Sequence, residues 1–383
     1  MIAITNAKII TMADKIIEKG SIIIEGSKIK NVGKNIEIYE VEEIIDANNK
    51  IVIPGMIDAH THLGLDEEGL GWEGEDFNET SDPVTPHLRA IDGVNPHELG
   101  LAKAYQNGIT TVMTGPGSAN VIGGQVLVMK TKGNTVDEMV LKSPAGIKAA
   151  VGENPKDYYG KQDESPVTRM AVAALLREAF MNTQDYLTEK SVAKKEDESF
   201  NRDIRLESIA QVINKEIPLK IHAHRADDIM TALRIACEFD IDITIEHCTE
   251  GHKVVDELMA TDVSVTLGPS MSAAVKVELK EVSFETPGIL ASAGVKVALV
   301  SDHPVMPIEN LPIYAALAVK SGMDEIDALK AITINPAEIL GLADRVGSIE
   351  VGKDADLVIF DGDPLDIKSN IEDVFINGEK VKD

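Results

Sequence analysis

The middle of the chain alternates between short strand-like segments and longer helix-like segments, and this alternation limits the fold most strongly. Such a pattern is typical of βα units that build a parallel sheet. The expected strands lie at 56–63, 110–114, 126–130 or 147–151, 219–224, 242–247, 264–267 and 295–301. Because seven or eight such strands suit a closed sheet, the sequence predicts an α/β fold with a distorted (β/α)8 barrel of the TIM type.

The two ends of the chain share a different texture. Residues 1–50 hold short β-rich runs separated by Gly and charged turns, and the same texture returns after Gly347. We therefore expect both termini to build one small β-sandwich domain, from residues 1–55 and 346–383, beside a barrel over residues 56–345. A length of 383 residues allows both units.

Charge and cysteine content narrow the partners and the location. The chain has 37 basic and 64 acidic residues and a net charge of −27, which argues against binding nucleic acid or an anionic membrane surface. No apolar run approaches the roughly 20 residues of a membrane span. Two cysteines, and no basic and apolar leader before the first strand, favour a cytoplasmic protein. We expect a small-molecule substrate and a homo-oligomer. The acidic segment 64–96 is given no role.

Histidines cluster at the ends of the predicted strands. Alternate residues of a strand share a face, and the carboxyl ends of parallel barrel strands share one rim. Neutral imidazoles and carboxylates there are the usual ligands of a catalytic divalent ion, so together with Asp302 they predict a metal site, although an isolated histidine is more often a core residue. Six of the nine histidines are placed in this way: His60, His62, His222, His224, His247 and His303.

These motifs carry a family resemblance. The segment Pro54-Gly-Met-Ile-Asp-Ala-His-Thr-His62, followed by Lys220-Ile-His-Ala-His224, Ile245-Glu-His247 and Ser301-Asp-His303, resembles the amidohydrolase superfamily, nearest its imidazolonepropionase-like branch. The stretch from Asn335-Pro-Ala337 to 347–357 is similar to that family's ending. The likeness spans nearly the whole chain.

The resemblance implies a ligand set. It assigns metal binding to His60, His62, His222, His247 and Asp302, with Asp302 also the proton shuttle. It further implies one or two divalent ions, for which zinc is favoured over manganese or iron. The remaining ligand of the family is a carboxylated lysine or a glutamate, and segment 146–153 offers Lys148 and Glu153. Glu153 is preferred because it needs no modification.

The implied ligands predict hydrolysis of a carbon–nitrogen bond other than a peptide bond. A divalent ion lowers the pKa of bound water to about 7 and polarises a carbonyl. Asp302 would take the proton of the attacking water and return it to the leaving amine. Asp58 and Glu246 are given no role.

Substrate contacts are assigned to residues near this rim. Gly124 and Gln125 belong to a Gly-rich segment whose backbone N–H groups could face the substrate, and a purely structural turn is equally open. His224, Arg225 and His303 are the other candidates. Arg225 suits a carboxylate, although an ordinary salt bridge is an equal alternative.

Three activities stay open at this point. Imidazolonepropionases carry an acidic residue at the place of Arg225, which separates this chain from their pattern. A hydrolase of dipeptides or N-acyl amino acids is the second reading. A catalytically silent scaffold protein is the third, and the occupied ligand positions argue against it.

Overall fold

The protein is described here by a computed structural model that covers residues 1–13 and 15–382. Asp14 and Asp383, which fall within the expected terminal domain, lie outside the described residues. The strands are β1 (Ile2–Ile10), β2 (Ile16–Glu25), β3 (Lys28–Gly33), β4 (Glu43–Asp46), β5 (Ile51–Pro54), β6 (Met56–Thr61), β7 (Ile109–Thr114), β8 (Ile122–Lys130), β9 (Val140–Ala150), β10 (Leu219–Ala223), β11 (Ile243–His247), β12 (Ser264–Leu267), β13 (Val297–Leu299), β14 (Leu357–Phe360), β15 (Ile371–Ile376) and β16 (Glu379–Lys380).

The described helices lie between strands β6 and β14 along the chain. They are α1 (Leu99–Gln106), α2 (Val136–Met139), α3 (Glu153–Gly160), α4 (Arg169–Glu196), α5 (Ile204–Ile213), α6 (Ala226–Phe239), α7 (Val255–Thr261), α8 (Glu285–Ala293), α9 (Leu311–Lys320), α10 (Glu325–Lys330) and α11 (Ile334–Ile339). Short 3-10 turns lie at 71–74, 90–92, 251–253, 277–279 and 308–310. None of the helices in the described ranges is long and apolar enough to cross a membrane.

Strands β6 to β13 form one eight-stranded sheet in chain order within the described residues. The sheet nearly closes, because Asp302 N donates to His60 O at 3.2 Å and His62 N donates to His303 O at 2.8 Å, which joins the segment after β13 to β6. Buried Val, Ile and Leu of the strands belong to a hydrophobic core that they share with the flanking helices. The mixed α/β barrel expected from the alternation is confirmed.

One strand of the barrel runs against the expectation of a parallel sheet. Both segments that the sequence offered as the third strand are strands, β8 and β9, and β8 pairs antiparallel with both β7 and β9. Only residues 115–121 separate β7 from β8, too short a connection for the crossover that parallel neighbours need. The other neighbours from β6 to β13 pair in parallel.

Both chain ends contribute to a second sheet. Strand β5 pairs antiparallel with β14 from Ile51↔Phe360 to Pro54↔Leu357, and the described strands β1–β5 and β14–β16 are joined in one sheet. Its core is rich in isoleucine, which suits a half-buried pleated surface. The buried Lys130 of β8 pairs with Asp354 and Asp356 and ties this sheet to the barrel. A two-layered sandwich and the domain boundaries stay predictions.

Candidate metal centre

The two histidines of β6 are held from behind. His60 Nδ1 donates to Glu246 Oε2 at 2.7 Å, and His62 Nδ1 donates to the carbonyl of Gly115 at 2.7 Å. In the neutral rings each Nε2 therefore carries its lone pair. These two atoms lie 3.3 Å and 3.4 Å from Asp302 Oδ1. His60 and His62 thus lie on the same face of β6, and both imidazoles point to the carboxylate of Asp302.

Strands β10 and β11 supply the other imidazoles. His247 Nδ1 donates to Gly268 O at 2.7 Å, and its ring centre is 4.5 Å from that of His222 and 4.7 Å from that of His60. Donor atoms of His222, His224 and His247 lie within 4.8 Å of one another, as do those of His60, His247 and Asp302. The two groups share His247, so the side chains from β6, β10, β11 and the end of β13 converge at one point.

His222 shows most directly that this point suits a cation. Its Nδ1 is buried and has no hydrogen-bond partner among the described residues, whereas its Nε2 is 3.4 Å from Glu278 Oε1. A buried polar atom without a partner costs about 1–3 kcal/mol. Burial also lowers the pKa of His222 to about 4, so the ring is neutral near pH 7. A neutral imidazole with a free nitrogen beside other imidazoles fits a divalent metal ion.

Asp302 follows β13 at the rim. Burial alone raises its pKa, but the charge of His247 and the hydrogen bonds of His60 and His62 lower the pKa well below its usual range. The carboxylate is thus ionised and able to accept a proton or bind a cation. Asp302 (φ 57°) and His247 (φ 73°) both have left-handed backbone, which is uncommon outside glycine and concentrates at functional sites.

The two candidates for the remaining ligand lie in different surroundings. Lys148 of β9 is buried with its Nζ 3.1 Å from His60 Nε2, and burial lowers its pKa to about 8. Glu153 begins α3 and its Oε2 accepts from Glu278 N at 3.0 Å. Among the described residues, Lys148 therefore contacts the cluster directly and Glu153 faces a loop backbone. This placement does not support the preference for Glu153.

Sequence reasoning missed Glu246. Its carboxylate accepts from His60, from Thr244 Oγ1 at 2.5 Å and from Thr266 Oγ1 at 2.9 Å, and it is fully buried. Burial raises the pKa of Glu246, but the nearby Lys220 and His60 outweigh burial and lower the pKa below its usual range. Strict strand alternation had placed Glu246 away from His247. That rule fails here because β11 ends at His247 with a positive φ.

We expect Glu246→Gln to weaken metal binding by roughly 10–100-fold, because partners behind a ligating histidine fix its ring and its tautomer. Competition titration with a chelator measures this. The exposed Glu257→Gln is the matched control and should bind like the wild type. Equal affinities of Glu246→Gln and wild type would show that Glu246 does not position His60.

A cavity of about 600 Å³ opens onto the cluster. Four of the predicted site residues line it, His62, His222, His224 and Asp302, together with Phe77, Asn154, Lys276, Leu279 and other side chains of the surrounding loops. His224 is held by Thr249 Oγ1, 2.7 Å from its Nδ1. The cavity gives a small molecule access to the histidines.

Four of the residues predicted to contact the substrate do not line this cavity. Arg225 forms two hydrogen bonds with Asp227, at 2.9 Å and 2.8 Å, which favours the salt-bridge alternative. Gly124 has φ 136°, and a Cβ there would meet Leu88 O at 2.7 Å. Gln125 donates to Ser208 Oγ at 3.1 Å, which suits a structural turn.

His303 is the fourth of them. Its Nδ1 accepts from the backbone N–H of Ile308 at 3.3 Å, and its Nε2 is 3.4 Å from Glu68 Oε1. Of the described residues that line the cavity, none is Arg225, Gly124, Gln125 or His303. Direct contact of these four with a substrate stays a prediction.

The sequence profile of the amidohydrolase family matches residues 51–381. The chain belongs to the amidohydrolase family. A crystal structure of an amidohydrolase from Thermotoga maritima MSB8 is 45% identical and superposes with a TM-score of 0.97 over 100% of this chain and 99% of that chain. A prolidase structure at 18% identity and a TM-score of 0.63, covering 100% of this chain and 99% of that one, supports the fold alone.

Curated relatives of this amidohydrolase have different named activities. Amidohydrolase tasK of Hapsidospora irregularis is 29% identical over 94% of this chain, which spans only 39% of that longer protein. An imidazolonepropionase of Clostridium tetani is 27% identical over 90% of this chain and 85% of its own length. A 5-methylthioadenosine/S-adenosylhomocysteine deaminase of Thermoanaerobacter pseudethanolicus is 26% identical over 94% of this chain and 85% of its own length. These relatives are hydrolases acting on carbon–nitrogen bonds.

Proposed function

We propose that this amidohydrolase is a metal-dependent enzyme that hydrolyses an amide or cyclic amide bond of a small molecule. The observation that carries the proposal is the buried, unpartnered Nδ1 of His222, whose ring lines the cavity and lies 4.5 Å from the ring of His247. His60, His62, His222, His247 and Asp302 would hold the metal, with zinc the expected ion. A bound divalent ion supplies a water of lowered pKa and polarises a carbonyl group.

The side chains of the protein move the proton. Asp302 is ionised and lies at the cavity, so its carboxylate can accept the proton of the attacking water and donate it to the departing nitrogen. Glu246 keeps His60 in one tautomer throughout. The apolar side chains of Phe77 and Leu279 limit the water that reaches the reacting bond.

We further propose Lys148 as the remaining ligand, in place of Glu153. Its amine lies 3.1 Å from His60 Nε2. In its neutral form the nitrogen attacks the carbon of CO₂, a nitrogen–carbon bond forms and one proton leaves to solvent. The resulting carbamate offers two oxygens to the ligand cluster, which an unmodified lysine does not.

We expect Lys148→Arg to lose about half or more of the bound metal, since a missing ligand lowers affinity, whereas Glu153→Gln should bind metal like the wild type. Metal analysis after reconstitution with and without bicarbonate measures this, and bicarbonate should increase uptake in the wild type and in Glu153→Gln but not in Lys148→Arg. Normal metal content in Lys148→Arg with a loss in Glu153→Gln would return the role to Glu153.

A substrate screen tests the proposed function itself. Zinc-reconstituted protein is assayed against N-acyl amino acids, dipeptides and cyclic amides, with product amine as the readout. We expect metal-dependent turnover of at least one class, abolished by a chelator and restored by added zinc. Absence of turnover in all classes at full metal loading would favour the silent scaffold.

Imidazolonepropionase activity is the second candidate. Its support is the match to the Clostridium tetani imidazolonepropionase over 90% of this chain. Arg225, which pairs with Asp227, stands where imidazolonepropionases carry an acidic residue and therefore counts against this activity. Including imidazolonepropionate in the screen, with ring opening as the readout, separates imidazolonepropionase activity from hydrolysis of the other amides.

A further inference from the structure

We propose that Lys276 anchors a carboxylate of the substrate, so that the enzyme prefers amides that bear a free acid close to the scissile bond. This inference rests on the proposed function and names the substrate class of the same site. Lys276 takes the place of Arg225, which the sequence suggested as the residue that binds the carboxylate. The supporting observations are the position of Lys276, the contacts that fix it and the competing cations.

Lys276 lies on the loop between β12 and α8, at the wall of the cavity. Of the described cavity-lining residues, only Lys276 and Lys161 carry a lysine or arginine charge. Lys161 is 73% exposed and pairs with Asp157 at 2.6 Å on its own helix turn. The side chain of Lys276 is 31% exposed. Lys276 is therefore the less hydrated of the two cations and offers the stronger charge to a bound anion.

One hydrogen bond and one ion pair fix the ammonium group. Lys276 Nζ donates to Asn154 Oδ1 at 2.6 Å and lies 2.8 Å from Glu278 Oε1. An ammonium group has three donors, so one is left to point at a ligand after these two contacts. A preorganised donor binds a carboxylate without first losing the freedom of a lysine side chain.

The same contacts place Lys276 beside the histidine cluster. Glu278 Oε1 contacts Lys276 Nζ and also lies 3.4 Å from His222 Nε2. A single carboxylate oxygen therefore links the ammonium group to the ring of His222. The acid of an N-acyl amino acid is separated from its scissile carbonyl by only the nitrogen and the α-carbon. An anchor at this short range therefore fits such a substrate.

Charge supports the same assignment. The protein carries a net charge of −27, which disfavours an anion unless a local cation attracts it. Glu278 Oε1 pairs with Lys276, while Glu278 Oε2 accepts from Glu153 N at 3.3 Å, so a substrate carboxylate would share the ammonium group with Glu278. Phe77 and Leu279 contribute apolar surface to the cavity wall, which strengthens a charge pair formed beside it.

The test uses matched substrates on the zinc-reconstituted full chain. N-benzoylglycine and N-hexanoylglycine are compared with the corresponding glycinamides for the wild type, Lys276→Ala, Lys276→Arg and the exposed Lys280→Ala. We expect Lys276→Ala to lower kcat/KM for the acids by roughly 10–100-fold, mainly through KM, and for the amides by less than about 3-fold. Lys276→Arg should keep most of the wild-type kcat/KM for the acids, and Lys280→Ala should behave like the wild type.

Measurements of ligand binding and of zinc content test the role of Lys276 without relying on turnover. Calorimetry with N-benzoylglycine should show a Kd that is about 10–100-fold weaker in Lys276→Ala, at unchanged zinc content. Lys276→Gln takes its place if the alanine variant does not fold. An equal effect on acids and amides, loss of zinc in the variant, or no binding of the acid to the wild type would overturn the anchor. Turnover of amides and acids alike by the wild type would overturn the anchor and leave the proposed function intact.

Discussion

Replacing Asp302 by asparagine will lower hydrolysis by about 100-fold or more while part of the metal stays bound. The amide keeps the shape of the side chain and one oxygen at the place where Asp302 Oδ1 faces His60 and His62. It removes the negative charge and the ability to accept a proton. Because the step from water to leaving nitrogen needs a base and then an acid, kcat should fall more than metal affinity.

Single-turnover rates and metal content of the same preparations measure the two effects separately. The exposed Asp256→Asn is the matched control and should leave both unchanged. Turnover like the wild type in Asp302→Asn at full metal loading would leave the proposed mechanism without its base.

Replacing His222 by alanine is expected to remove at least one metal ion and nearly all activity. The change deletes the unpartnered Nδ1 and also leaves the buried Glu278 without one of its contacts. A site short of one ligand loses both affinity and geometry, and the loss of affinity should exceed the roughly 10–100-fold that removing a partner behind a ligand causes. His60→Ala and His247→Ala should behave in the same way, since both rings belong to the same cluster.

Elemental analysis after dialysis, together with activity after adding zinc, measures this effect. The exposed His97→Ala controls for the loss of an imidazole as such and should keep its metal. If His222→Ala, His60→Ala and His247→Ala all retained the metal content of the wild type, the ion would have to bind elsewhere and the proposed function would lose its basis.

The positions of the histidines could be predicted because strand periodicity fixes which residues share a face. His60 and His62 are two residues apart on β6, and the parallel strands β10 and β11 end at the same rim. The convergence of their side chains with Asp302 therefore follows from alternation and from the barrel. The family resemblance pointed to the same residues.

Other features have no signal of this kind. The hydrophobic pattern of β8 is the same in either strand direction, so the reversed strand could not be predicted from it. Lys276 and Glu278 come from a loop, where no period relates sequence position to direction in space. Arg225 was a plausible anchor by type and position, but the nearby Asp227 provides a stronger local partner.

The left-handed backbone at His247 and Asp302 has a consequence for how this enzyme can be stabilised. Each residue other than glycine in that region raises the energy of the folded state, by roughly 1 kcal/mol. Glycine would relieve this cost at both positions and would also remove a predicted ligand. Stabilisation programmes that rank substitutions by backbone fit alone would therefore select against activity at these two positions. The rim of the barrel is a place where function and thermostability are in direct competition.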